Sequence, residues 1–319
     1  MISLEQVTKR FGSSTAVSDI SFEMETGSVT GFLGPNGAGK TTTMRMITGY
    51  LEPDSGRVLV GGKDHKRHGL EIRQKCGYLP ETSPLYGDMT VLEYLELAGG
   101  LRGLRGRDLK AAIARMVAVC DLGKNLKKNI DALSKGFRQR VGLAQAMIHD
   151  PEILILDEPT TGLDPNQIRY IKDLIKALGR EKTLMLSTHI LHQAPELCDR
   201  ILVITEGRLV FDGTPREMAA QSGPPKQARL SVSGDLETFP TFIEPFSFIT
   251  GYQENVGEDG FTHYLLDGQF TPAHMDHVFQ KLAAQPWQIG EWAPEPVSLD
   301  GVFAQLTGEA ANANHLTRR

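Results

Sequence analysis

Gly34-Pro35-Asn36-Gly37-Ala38-Gly39-Lys40-Thr41 is a complete G-x-x-x-x-G-K-[ST] stretch. An apolar run, Val29–Leu33, leads into it. Residues 42 to 47 carry Met44 and Ile47 at helical spacing, so the chain runs strand, loop, helix N-terminus. That order suits a phosphate. Glycines let successive backbone N–H groups turn toward an anion with no Cβ in the way, and a helix start adds roughly half a positive charge. Lys40 is then placed to reach the β- and γ-phosphates of a nucleotide, and the Thr41 hydroxyl to take Mg²⁺.

Upstream, residues 2 to 33 alternate β-like runs with turns at Gly12-Ser13-Ser14 and Thr26-Gly27-Ser28, the pattern of an antiparallel edge feeding the loop strand. Phe11, just before the first turn, offers a ring that can stack on a base. Downstream, Pro53-Asp54-Ser55-Gly56 is a turn, residues 57 to 60 are a short strand, and residues 75 to 81 read as a strand ending at Pro80. Thr90 and Glu93 have capping-box spacing and open an apolar periodic run through Leu97. Residues 107 to 120 place Ile113, Met116 and Val117 on one helical face. Residues 85 to 150 therefore read as a mostly helical insertion between strands.

The insertion closes on Leu133-Ser134-Lys135-Gly136-Phe137-Arg138-Gln139-Arg140, and a helix continues to residue 148. A serine and a glycine at a helix start present free N–H groups, which makes a second anion-binding terminus. Ile153-Leu154-Ile155-Leu156 is a buried-strand run that ends in Asp157-Glu158. Two carboxylates at the end of a buried strand need a cation or catalytic work, and a nucleotide's Mg²⁺ supplies the cation. Asp157 is expected to hold the metal, and Glu158 to orient and deprotonate the attacking water. Residues 161 to 165 form a turn, residues 166 to 178 a helix, and residues 183 to 187 a second buried strand that runs into Thr188-His189. A histidine there can hydrogen-bond a γ-phosphate oxygen. Residues 201 to 204 and 208 to 211 form a hairpin across Glu206-Gly207, and residues 214 to 221 a helix.

At 319 residues the chain has room for a domain of about 200 residues and a smaller one. A net charge of −5 argues against a broad nucleic-acid-binding surface. Cys76, Cys120 and Cys198 are odd in number and in no metal-like spacing, so they are expected to be reduced thiols of a cytosolic protein. No signal-peptide core opens the sequence, and its apolar runs fall far short of the ~20 residues that span a bilayer. If the protein works at a membrane, another chain is expected to supply the membrane part.

Residues 2 to about 220 resemble the nucleotide-binding subunits of ATP-binding cassette (ABC) transporters, with each motif in the family's order. Phe11 stands at the adenine-stacking aromatic and Gly34 to Thr41 at the phosphate loop. Ser134 to Gln139 is similar to the family signature, with Lys135 and Phe137 at positions where glycine and another residue are commoner. Leu154 to Glu158 matches the metal-binding strand and catalytic glutamate, Gly162-Leu163-Asp164 the dimer-contact loop, and His189 the switch histidine.

The resemblance implies an α/β fold: an ABC-type P-loop ATPase domain with an antiparallel β subdomain, a RecA-like core and a helical subdomain. It implies ATP held by Phe11, Gly34, Asn36, Gly37, Ala38, Gly39, Lys40, Thr41, Thr42, Glu81, Ser134, Gly136 and Gln139. Mg²⁺ is implied at Thr41, Asp157 and Glu81, and catalysis by Glu158, His189 and Lys40. The family architecture is a head-to-tail dimer around two ATP molecules, with Ser134 and Gly136 of one subunit completing the site of the other. One phosphate loop and one signature imply a homodimer or a paired ATPase, a separate transmembrane permease, and a peripheral position on the cytoplasmic face of the inner membrane.

Glu81 departs from the family pattern, which usually has glutamine in this coupling loop. With Lys135 and the tail, it makes the chain look like the bacterial export branch, similar to gliding-motility and drug or polysaccharide export ATPases. Relatives acting on ribosomes or DNA are the alternative, but those usually carry two cassettes or a long coiled coil.

Gly223-Pro224-Pro225 breaks the composition, which puts a domain boundary near residues 222 to 227. Beyond it the pattern reads strand, helix, strand, strand, helix, strand over residues 228 to 292, a small α+β domain of ferredoxin-like order. A Gly257-Glu258-Asp259-Gly260 turn joins the middle strands. A helix near residues 299 to 306 carries Leu299, Val302, Phe303 and Leu306 on one stripe, and residues 308 to 319 are expected to be disordered.

Overall fold

Apolar runs buried on both faces become the centre of the first layer, as a parallel sheet requires. The computed structural model describes residues 1–188, 194–221, 223–257, 259–295 and 299–307. Its contacts divide into two units, Met1–Pro215 with the described residues from Phe303 on, and Arg216–Val302. The division falls ahead of the Gly223-Pro224-Pro225 break. Ser222, Glu258 of the expected turn and the tail 308–319 lie outside the described residues.

In chain order the first unit runs β1 (Ile2–Phe11), β2 (Ser14–Met24), β3 (Val29–Leu33), α1 (Lys40–Thr48), β4 (Ser55–Val60), β5 (Lys63–Asp64), α2 (His65–Lys75) and β6 (Cys76–Leu79). It continues with α3 (Val91–Leu101), α4 (Gly106–Val119), α5 (Lys135–Met147), β7 (Ile153–Leu156), α6 (Pro165–Gly179), β8 (Thr183–Thr188), α7 (Ala194–Leu197), β9 (Arg200–Thr205) and β10 (Arg208–Gly213). A four-stranded antiparallel sheet has the order β2-β1-β4-β5, and a six-stranded sheet the order β10-β9-β3-β8-β7-β6. The strands from β9 to β6 are mutually parallel, and β10 returns antiparallel beside β9.

The register of the parallel strands is what positions the site. Leu33 pairs with Thr188, Leu156 with Leu186, and Leu79 with Leu156, so the carboxyl ends of β3, β8, β7 and β6 finish together. In an open α/β sheet that end is where ligands bind. Phe32, Met44, Ile47, Ile155 and Met185 form the dry core beneath it. The helical insertion is there as expected, and α3 opens with a true capping box: Glu93 N donates to Thr90 Oγ1 at 3.3 Å, and Thr90 N to Glu93 Oε2 at 2.8 Å.

α8 (Pro215–Ala220) leads to β11 (Gln227–Ser233), α9 (Phe239–Ile243), β12 (Ile249–Val256), β13 (Thr262–Gly268), α10 (Pro272–Leu282), β14 (Gln288–Pro294) and α11 (Leu299–Thr307). The antiparallel sheet order is β12-β13-β11-β14, the arrangement of a split β-α-β unit. Leu230, Val232, Leu266, Phe239 and Trp287 fill its core. Helix α9 is short, because Phe239 and Ile243 are its two buried anchors and Pro240 fits only at its first turn. His274 lies stacked on Phe248 with ring centroids 4.0 Å apart, a packing role.

Candidate functional site

The phosphate loop links β3 to α1, and Gly39 caps the helix at φ 107, a left-handed conformation that a Cβ would strain. α1 therefore starts at Lys40 with its free N–H groups aimed into the loop. Lys40 is buried, and its Nζ donates to the Gly34 carbonyl at 2.7 Å and the Pro35 carbonyl at 3.1 Å. Burial lowers its pKa below the usual lysine value, while Glu158, Asp157 and Glu81 push it back up.

Asp157 and Glu158 follow β7 and are both buried, 1% and 7% exposed. The Thr41 hydroxyl donates to Asp157 Oδ2 at 2.7 Å. Ser187, near the end of β8, donates to Asp157 Oδ1 at 2.6 Å and accepts from Glu158 N at 2.8 Å. Thr161 donates to Glu158 Oε2 at 3.1 Å. Glu158 holds φ at 50, a left-handed conformation that costs a non-glycine residue about 1–2 kcal/mol and is tolerated where surrounding bonds fix it.

One ammonium here faces the carboxylates of Asp157, Glu158 and Glu81. A triphosphate would add further negative charge, so a divalent cation has to enter with it. Thr41 and Asp157 fit that ion: a hydroxyl and a carboxylate are hard oxygen donors, in a pair that leaves coordination positions for phosphate oxygens and water. Among the described residues no group of three or more His, Cys, Asp or Glu forms a metal cluster by itself.

The other expected residues fall as follows. Phe11 is half exposed at the turn end of β1, with the Lys9 ammonium 5.8 Å from its ring centroid, and the strand it pairs with runs past Gly39. Asn36 and Gly37 are exposed, Ala38 is buried, and Thr42 is half-buried on the first turn of α1. Glu81 is exposed just beyond β6. Ser134 caps α5, accepting from Phe137 N at 3.4 Å, and no hydrogen bond joins it to Lys40, Thr41 or Asp157. Gln139, expected at the nucleotide, instead points into its own chain: it is 9% exposed and donates to the Pro159 carbonyl at 3.1 Å. Its position about 140° round the helix from Ser134 explains the difference. His189 lies outside the described residues.

Ser187 and Thr161 were not singled out from the sequence. The available signal was a hydroxyl ending the apolar strand Thr183-Leu184-Met185-Leu186, opposite a strand that ends in two carboxylates.

A family model described as ABC transporter matches residues 17–161. The linearmycin resistance ATP-binding protein LnrL of Bacillus subtilis (strain 168) is 32% identical over 97% of this chain and 98% of its own length. A protein named a probable multidrug ABC transporter ATP-binding protein, YbhF of Escherichia coli (strain K12), is 39% identical over 71% of this chain. That match spans 39% of YbhF, about two-fifths of its length. A solved ATP-binding subunit of an ABC transporter superposes with a TM-score of 0.64 at 28% identity, covering 70% of this chain and 93% of that one.

Proposed function

The chain belongs to the ABC transporter ATP-binding proteins, and from that premise we propose that it is the ATP-hydrolysing subunit of a bacterial exporter. The observation that carries the reading is the cluster at the sheet's carboxyl end, where Thr41, Asp157, Ser187 and Glu158 are hydrogen-bonded beside Lys40. Relatives named for multidrug transport and linearmycin resistance support export.

The triphosphate lies on the N–H groups of the loop, with Lys40 leaving the Gly34 and Pro35 carbonyls to meet its outer phosphates. Mg²⁺, when bound at Thr41 and Asp157, supplies charge neutralisation across the phosphates. Glu158 takes the proton of the attacking water, and Thr161 orients its carboxylate. Lys40 and the loop's N–H groups hold the charge that develops on the departing phosphoryl group. Ser134 and Gly136 of a second copy complete the site, in keeping with an exposed cap on a 13-residue helix that makes no hydrogen bond to the site of its own chain.

The permease contact is placed at the cleft beside Glu81, of about 400 Å³, which Arg45, Tyr50, Tyr78, Pro80 and Thr82 line. No helix among the described residues is long and apolar enough to cross a membrane, so the path for the cargo would belong to a separate chain at whose cytoplasmic face this subunit sits.

The test is to extract tagged Glu158→Gln from native membranes in mild detergent with ATP and Mg²⁺ and identify what co-purifies. A polytopic membrane protein is the expected result. Ribosomes or nucleic acid without a membrane protein would replace transport with a different use of the same ATP clamp.

A further inference from the structure

Gln139 is on the helix whose first turn carries Ser134 and Gly136, yet its amide is spent on its own chain, donating to the Pro159 carbonyl at 3.1 Å. Pro159 follows Glu158 directly and has no N–H of its own, so its carbonyl is the one strong backbone handle at that residue. The rest of the Glu158 backbone is tied down: its N–H donates to Ser187 Oγ at 2.8 Å, and its carbonyl accepts from Thr161 N at 3.2 Å. At φ 50 the glutamate keeps its conformation only while such ties hold. α5 is also keyed at its start, where a Cβ on Gly136 would lie 2.2 Å from Gln167 Oε1 of α6. The helix and the segment after β7 thus meet at two points, one next to Ser134 and one next to Glu158.

We propose that Gln139 is a positioning residue that fixes Glu158 of its own chain through the Pro159 carbonyl, so that the helix serving one ATP site and the base of the other move as one body. The proposal rests on the two-copy site described above. Gln139 touches neither nucleotide nor water. It acts by keeping the backbone that carries Glu158 where a water beside the γ-phosphate can be deprotonated. An ATP that draws Ser134 toward it shifts α5, and with it the base of the opposite site.

The test uses the full-length chain and Gln139→Glu. An ionised carboxylate is only an acceptor and repels the Pro159 carbonyl, whereas a protonated one regains an O–H donor. At pH 8 the variant should lose at least about tenfold in kcat with ATP half-saturation nearly unchanged, and the deficit should shrink toward pH 6, because burial raises the new carboxyl's pKa. Gln139→Met, which keeps the length and has no donor, should show the same deficit at every pH.

Mixed dimers, co-expressed with two tags and purified through both, separate action within a chain from action across the interface. Gln139→Glu paired with Glu158→Gln leaves the only base in the altered chain and should be slow. Gln139→Glu/Glu158→Gln in one chain paired with the unaltered chain should match a dimer of unaltered and Glu158→Gln chains. Equal rates, or the reverse order, would overturn the proposal, the reverse order assigning Gln139 to the second copy's nucleotide. If Gln139→Glu does not fold, the Met variant carries the same comparison. Failure of Glu158→Gln alone to dimerise with ATP would remove the two-copy site itself, and this inference with it.

Discussion

Thr41 and Asp157 are hydrogen-bonded at 2.7 Å across 116 residues of sequence, so the two oxygens that fit Mg²⁺ already face each other. Ser187 holds the second Asp157 oxygen at 2.6 Å, which fixes the orientation of the carboxylate that would bind Mg²⁺. Partners of this kind typically change metal affinity by 10–100-fold. Ser187→Ala should therefore raise the Mg²⁺ concentration for half-maximal ATPase by about that factor, with ATP half-saturation at excess Mg²⁺ nearly unchanged. A Mg²⁺ titration of the ATPase rate checks it; an unchanged midpoint would leave Ser187 as a purely structural hydroxyl.

Glu81 adds a carboxylate to a site where Lys40 already faces Asp157 and Glu158. Glu81→Gln removes repulsion against the γ-phosphate and keeps a group that can accept from water. Measurable ATPase should survive, and ATP half-saturation should fall at low ionic strength, with the difference closing as salt screens the charge. Complete loss of turnover would give the Glu81 carboxylate a catalytic role.

The parts of the site written in short contiguous stretches were legible in the sequence: the loop with Lys40 and Thr41, and the apolar strand that ends in Asp157 and Glu158. What the sequence concealed depends on register and helix phase. Ser187 meets Asp157 only because Leu156 pairs with Leu186. The signature resemblance implies Gln139 at the nucleotide together with Ser134, but five residues turn its side chain to the opposite face of α5. Helix α2 went unread because Ile72 is its only buried residue, so it has no apolar stripe, and His68 kinks it at φ −125. Its start was readable only as a cap, with Asp64 accepting from Lys66 N at 2.8 Å.

His149 makes the first unit sensitive to acid. Its Nε2–H donates to the Cys76 carbonyl at 3.2 Å, and Nδ1 has no hydrogen-bond partner among the described residues. Burial pushes the pKa down to about 4, helped by Arg102 and Lys182 and opposed by the Cys76 carbonyl and Asp150. The unfolded chain takes up this proton below its ordinary 6.5 while the folded chain stays neutral to about 4, so stability falls as pH drops through that window. His149→Gln retains a donor for the carbonyl and does not titrate. Urea midpoints at pH 7 and 4.5 should drop less for the variant; equal drops would show that His149 is protonated in the folded state.

The alkaline limit has the opposite origin. Cys76, Cys120 and Cys198 are all buried thiols, and burial pushes each from 9.0 up to about 12. Above pH 9 the unfolded chain releases these protons and the folded chain keeps them, so the folded state binds more protons and stability falls as pH rises. Each thiol contributes a slope of about 1.4 kcal/mol per pH unit, and Tyr78, pushed from 10.0 to about 12, joins above pH 10. Against a stability of about 5–15 kcal/mol, three thiols together are enough to bring unfolding within reach near pH 11. Urea unfolding under reducing conditions at pH 8, 9 and 10 reads the slope. Cys120→Ala should flatten it by one thiol's share, whatever constant offset the lost sulfur adds, since a cavity does not titrate. An unchanged slope would mean that Cys120 ionises in the folded protein and that its surroundings admit water.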